Sequence, residues 1–135
     1  MSESGDDAKT DSATNRARIL VVDDDKSITR MLDAMLRRSL DVDVVIANAP
    51  FGVLNTIASE RPAIVLLDVM MPGLDGQSLT GLIRADKDLA NTKIVLYSAM
   101  DESALAKLRD TCGADDFIQK TVRPTEVARR LQRWL

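Results

Sequence analysis

The chain has 135 residues, 45% of them hydrophobic, and a formal net charge of −3. That length suits one domain with a single core, and the mild acidity argues against a nucleic-acid-binding surface. Histidine is absent and Cys112 is the one cysteine, which excludes Ser-His and Cys-His catalysis, His-ligated metals, a phosphohistidine carrier and an internal disulfide.

Met1 to Asn15 carry no large apolar side chain after Met1, too little to bury, so residues 1–16 read as a disordered tail and 17–135 as the folded domain. Ile19 to Val22 form a first buried strand ending at Asp23, Asp24 and Asp25. In the next segment Ile28, Met31, Leu32, Met35 and Leu36 repeat at helical spacing. Val42 to Ala47 make a second strand, and Pro50 is placed in the first turn of a helix that turns Val53, Leu54 and Ile57 inward.

The run from Ala63 to Leu67 is short and continuously apolar, as in a strand buried on both faces of a parallel sheet. It ends at Asp68, a Pro72-Gly73 turn follows, and Asp75 is positioned to cap a helix with Leu79, Leu82 and Ile83 on its inner face. Lys93 to Tyr97 form a fourth strand ending at Ser98. Asp101 caps a fourth helix whose main anchors are Leu105 and Leu108, and Gly113 stops it. Cys112, near that stop, reads as a small buried apolar residue. A fifth strand, Ala114 to Ile118, leads to Lys120, and Pro124 opens a last helix with Val127, Leu131 and Leu135 inward and Trp134 at its end. The arginines near that end, Arg123, Arg129, Arg130 and Arg133, suit a solvated helix terminus.

Five strands alternating with five helices imply an α/β fold: a five-stranded parallel sheet of order 2-1-3-4-5, doubly wound in the flavodoxin-like manner. No segment is apolar for about eighteen residues, and no signal-peptide layout opens the chain, so a cytoplasmic protein without membrane contact is expected.

This topology brings the carboxyl ends of four strands together, and with them Asp23, Asp24, Asp68, Ser98 and Lys120. At about 4 Å and an effective dielectric near 20, each pair of carboxylates repels by roughly 4 kcal/mol, so the cluster asks for a cation. All-oxygen donors suit Mg²⁺ or Mn²⁺. A carboxylate nucleophile beside a metal, a lysine and a hydroxyl suits phosphoryl transfer, in which Asp68 attacks phosphorus and the others hold the phosphoryl oxygens.

On these residues the chain resembles the receiver domain of bacterial two-component response regulators, from about Arg18 to Leu135. The family pattern is an acidic pair after strand one (Asp23-Asp24), a phosphoacceptor in Asp-x-x-Met-Pro-Gly-x-Asp-Gly (Asp68 to Gly76), a Ser/Thr (Ser98) and a lysine (Lys120). The resemblance implies Mg²⁺ held by Asp24, Asp68 and the Met70 carbonyl, with Asp23 acting through water, and Phe117 as the aromatic switch beside Ser98. It also sets Met70 and Met100 beside the phosphoryl group. It further implies a sensor histidine kinase or phosphotransfer protein as donor, and a downstream effector or output domain reading the face of helix four, strand five and helix five. Nucleic acid would not be bound directly, and there is room for a homodimer, for which Asp116, Glu126 and Arg130 offer charge pairs. The domain itself would be a phosphoacceptor assisting its own phosphorylation and dephosphorylation. One departure stands out: Thr121 follows Lys120 where the family usually has proline, which removes the usual reason for a cis bond there.

Two other readings stay open at this stage. Asp23-Asp24-Asp25 superficially contains the Asp-x-Asp of haloacid dehalogenase-type phosphohydrolases, although that leaves Asp68 to Gly76 unexplained. Alternatively, the chain is a receiver-shaped interaction module that is never phosphorylated, for which Thr121 is the only hint.

Overall fold

The computed structural model describes residues 16–72 and 74–135, without the side chains of residues 74 and 75. The expected tail up to Asn15, the Gly73 half of the turn and the cap from Asp75 therefore lie outside the described residues.

Five strands form one parallel sheet: β1 (Ala17–Val22), β2 (Val42–Ala47), β3 (Ile64–Asp68), β4 (Lys93–Ser98) and β5 (Asp116–Gln119). Their spatial order is β2-β1-β3-β4-β5, the order expected when right-handed crossovers wind outward from a central strand in both directions. The helices are α1 (Lys26–Ser39), α2 (Val53–Glu60), α3 (Gly76–Ala85), α4 (Glu102–Cys112) and α5 (Pro124–Gln132). A two-residue antiparallel ladder, Met70–Met71 against Leu74–Asp75, closes the loop after β3.

Alternation along each strand divides the core into two layers. Ile19, Val21, Ile64, Leu66, Val95 and Ile118 face α1 and α5, where Leu32, Leu36, Val127 and Leu131 meet them. Leu20, Val22, Val65, Leu67, Ile94, Leu96 and Phe117 face α2, α3 and α4 through Val53, Ile57, Leu79, Ile83 and Leu105. Each fully buried Leu or Ile stabilises the fold by roughly 1.5–3 kcal/mol relative to exposure. β3 is buried along its whole length, so Asp68 at its end is drawn in with it and is 4% exposed.

The helix ends follow local chemistry. Asp25 accepts from the Ser27 and Ile28 amides and caps α1, Asp101 accepts from the Ala104 amide and caps α4, and Pro124 opens α5. Gly113 ends α4 at φ 85°, a conformation that glycine adopts without Cβ strain.

Several expectations are corrected. Pro50 precedes α2 by three residues, since Gly52 at φ 82° intervenes and Val53 is the first helical residue. Leu82 and Leu135 are about half exposed, because Leu82 lies at the margin of the apolar stripe of α3 and Leu135 lies past the end of α5. β5 begins at Asp116, since Gly113 and Ala114 are used in closing α4. Cys112 is half-buried against the core and free.

Candidate functional site

The three aspartates after β1 do three different things. Asp23 continues the strand, its amide donating to the Ala47 carbonyl at 3.0 Å, and its Oδ1 accepts the Asp25 amide at 2.9 Å. That turn releases Asp25 to cap α1 and leaves Asp24 on the surface between them. Asp23 is 1% exposed. The start of α1 thus uses Asp25, and the carboxylate cluster takes the other two.

Asp68 Oδ1 accepts the Met70 amide at 3.0 Å, which fixes the carboxylate at the mouth of the loop. Oxygens of Asp23, Asp24 and Asp68 lie within 4.8 Å of one another. Lys120 brings its Nζ to 2.9 Å from Asp23 Oδ2 and 3.4 Å from Asp68 Oδ2, with the Tyr97 ring 5.6 Å below it. All peptide bonds among the described residues are trans, so the lysine reaches the cluster without a cis bond before Thr121. The Lys120 amide donates to the Ser98 carbonyl at 2.8 Å, which ties β5's exit to β4's.

Ser98 is fully buried, and its Oγ accepts the Met100 amide at 3.2 Å. One lone pair is used, and the hydroxyl proton stays available for an acceptor arriving beside Asp68. Phe117 is already packed in the core at 8% exposure, under the Arg109 guanidinium at 5.2 Å. The ring at the expected switch position is therefore inward in this structure.

Burial raises the Asp23 pKa above the usual carboxylate value, and the neighbouring Asp68 charge adds to this; the Asp25 amide and Lys120 oppose it without cancelling it. Burial disfavours the charge on Lys120, but Asp23 and Asp68 together outweigh that and raise its pKa. Burial also raises the Tyr97 phenol. Asp23 Oδ2, although 2.9 Å from the ammonium, is buried without a well-aligned hydrogen-bond donor among the described residues. An oxygen in that position suits a cation or a cation-bound water.

Two contributors were not read from the sequence. Asn48 Nδ2 donates to the Asp23 carbonyl at 2.9 Å and to Thr29 Oγ1 at 3.0 Å, stitching the loop after β2 to the acidic turn and α1. Gln119 Nε2 donates to the Met100 carbonyl at 3.0 Å, holding the loop that carries Ser98. Asp116, expected as an exposed dimer charge, is 7% exposed and engaged by Phe117, Trp134 and Arg130 of its own chain.

A doubly wound sheet with a carboxylate cluster, a lysine and a hydroxyl at its carboxyl edge defines a phosphoacceptor module. The sequence pattern of the response regulator receiver domain matches residues 19–132, and the chain belongs to that family. It is 36% identical over 119 residues to the DNA-binding response regulator MtrA of Mycobacterium tuberculosis, an alignment covering 88% of this chain and 50% of MtrA. The chain thus spans about half the length of such curated relatives. Among solved structures it resembles the BeF3-activated N-terminal receiver domain of Klebsiella pneumoniae RstA, at 34% identity and TM-score 0.77 over 86% of this chain and 96% of that one. A response regulator from Chloroflexus aurantiacus gives 26% identity and TM-score 0.81 over 88% and 97%. The chain is a two-component signalling receiver, which sets the hydrolase reading aside.

Proposed function

We propose that this receiver takes a phosphoryl group onto Asp68 in a Mg²⁺-dependent reaction, from the phosphohistidine of a sensor kinase or phosphotransfer protein. The supporting observation is the meeting of Asp23, Asp24 and Asp68 within 4.8 Å, with the Lys120 ammonium against two of them. The donor set is all oxygen, and it holds a buried oxygen short of a donor; both fit Mg²⁺ or Mn²⁺. Asp24, Asp68 and the Met70 carbonyl would hold the ion, with Asp23 reached through water. When bound, the ion neutralises charge on the phosphoryl oxygens.

The chain's own groups divide the remaining work. An Asp68 carboxylate oxygen forms the new bond to phosphorus as the phosphorus–nitrogen bond to the donor imidazole breaks, and the electron pair leaves with that nitrogen. The Lys120 ammonium moves from carboxylate neutralisation to a phosphoryl oxygen. The Ser98 hydroxyl donates to another, still accepting the Met100 amide. Its displacement toward the phosphoryl group pulls the loop before α4, a helix whose one fully buried large side chain is Leu105. The α4, β5 and α5 face is therefore the surface that a downstream effector or output domain reads. The domain acts in the cytoplasm, assists its own phosphorylation and dephosphorylation, and touches no nucleic acid itself.

Incubation with acetyl phosphate and Mg²⁺, followed by intact mass and peptide mapping, tests this. The expected result is one phosphoryl group on Asp68, lost in Asp68→Asn. An unmodified wild-type mass would leave the unphosphorylated interaction module as the reading.

A further inference from the structure

β5 is an edge strand, and the backbone of Phe117 on it is held at both ends by side chains. Asp116 Oδ1 accepts the Phe117 amide at 2.8 Å, and Arg130 Nη2 of α5 donates to the Phe117 carbonyl at 2.8 Å. The other oxygen of the same carboxylate, Asp116 Oδ2, accepts from Trp134 Nε1 at 3.1 Å. Trp134 lies past the end of α5, with the Arg133 guanidinium 5.2 Å and the Lys93 ammonium 5.9 Å from its ring. The Phe117 ring and Trp134 lie in different core layers, on opposite faces of the sheet.

We propose that Asp116 is a positioning residue that couples Phe117 to the C-terminal end of the domain, by joining the Phe117 amide to the Trp134 indole through one carboxylate. A rotation of the Phe117 peptide would pull on Oδ1. The carboxylate is planar and rigid, so Oδ2 would move with it and the indole would follow or lose its partner. Arg130 adds a second link on the same helix, 3.7 Å from Asp116 Oδ1. Backbone groups on an edge strand are ordinarily left to solvent or to a pairing strand; here side chains take those of Phe117, Asp116 of β5 the amide and Arg130 of α5 the carbonyl. The coupling gives the switch a route through the sheet that does not depend on α4. Its use in signalling rests on the receiver reading above.

Trp134 is the single tryptophan, so the emission reports its surroundings, and the Asp116 variant isolates the contribution of this contact. In wild type, acetyl phosphate with Mg²⁺ is expected to change Trp134 emission in proportion to the phosphorylated fraction read by intact mass. In Asp116→Asn the side-chain carbonyl still accepts the Phe117 amide but the second oxygen is gone, so phosphoryl uptake should persist while the emission change is lost. Phosphorylation by mass with unmoved wild-type emission would overturn the coupling. An unphosphorylated wild type would instead count against the receiver reading, and a second measurement then decides. Amide exchange in the unmodified protein should quicken at residues 116–119 in Trp134→Phe, which keeps the ring and removes the N–H. Exchange there equal to wild type, or quickened evenly across the sheet, would refute a specific link.

Discussion

The Lys120 ammonium sits 2.9 Å from Asp23 Oδ2, a carboxylate 1% exposed at the end of β1. Without metal this contact is the main neutralisation of a buried charge, and Asp68 shares it at 3.4 Å. Removing one partner of a buried pair costs about 3–5 kcal/mol, and the partial exposure of Lys120 reduces this to roughly 2 kcal/mol. Lys120→Ala should therefore lower unfolding stability by about that amount in metal-free buffer, and Asp23→Asn in the same chain should restore part of it. Urea denaturation of the four proteins gives the coupling.

The pH dependence follows from the raised Asp23 pKa. The folded state holds this proton more tightly than the unfolded chain, so the contribution is fully present below the unfolded value near 3.8 and is lost as pH rises through the folded value. In metal-free buffer Asp23→Asn should flatten the part of the stability–pH curve that falls as pH rises above the unfolded value near 3.8. A curve unchanged in shape would show that Asp23 is not strained by its burial.

Asp24 is exposed, so its repulsion toward Asp23 and Asp68 is screened. Asp24→Asn should raise metal-free stability by no more than about 1 kcal/mol. Its clearer effect should be loss of the stabilisation that Mg²⁺ confers by binding only the folded state. Thermal melts with and without Mg²⁺ measure both quantities, and a variant that keeps the full Mg²⁺ increment would remove Asp24 from the ligand set.

Asp101 caps α4 through the Ala104 amide, and that bond together with Ser103 holds its pKa below the usual carboxylate value. The stabilisation is present above the unfolded value near 3.8 and is lost as pH falls through the lower folded one. Asparagine caps equally well and does not titrate. Protection of the α4 amides, corrected for the intrinsic pH dependence of exchange, should therefore fall on acidification in wild type and stay level in Asp101→Asn.

A Cβ at position 76 would lie 2.8 Å from the Val69 Cα, a backbone atom that cannot swing away. This close approach seats the first turn of α3 against the loop beginning at Asp68. Gly76→Ala should cost about 1–3 kcal/mol through overpacking, and should weaken Mg²⁺ binding as the loop shifts. Denaturation and Mg²⁺ titration of the variant check the two effects.

Much of this site was legible because Asp23, Asp68, Ser98 and Lys120 each follow an apolar strand, and a parallel sheet collects such strand ends on one edge. The contacts that brace the site were not. Asn48 meets the Asp23 carbonyl across 25 residues, Gln119 meets Met100 across 19, and Trp134 meets Asp116 across 18. Each is a polar pairing set by packing, with no periodic signal in the chain. Asp116 shows the same limit from the other side: its charge suggested a surface role, while the fold turned it inward onto Phe117 and Trp134.

Met70 and Met100 stand two residues beyond Asp68 and Ser98, positions that would flank a phosphoryl group on Asp68 in the proposed reaction. Met70 is 65% exposed at the rim, whereas Met100 is half-buried against the core with its backbone held by Ser98 and Gln119. Hydrolysis needs a water in line with the phosphorus–oxygen bond, and a polar side chain helps to place it. A thioether offers only a weak acceptor, so neither side chain would help to place that water. Ala99 between Ser98 and Met100 is small and exposed. The phosphorylated protein should therefore be long-lived, and Met70→Asn with Met100→Glu should decay faster. Each 1.36 kcal/mol of barrier is about tenfold in rate, so even modest ordering of the attacking water is readable. Phosphoryl loss followed by intact mass in both proteins is the measurement, and decay of the double variant at or below the wild-type rate would assign both methionines to packing alone.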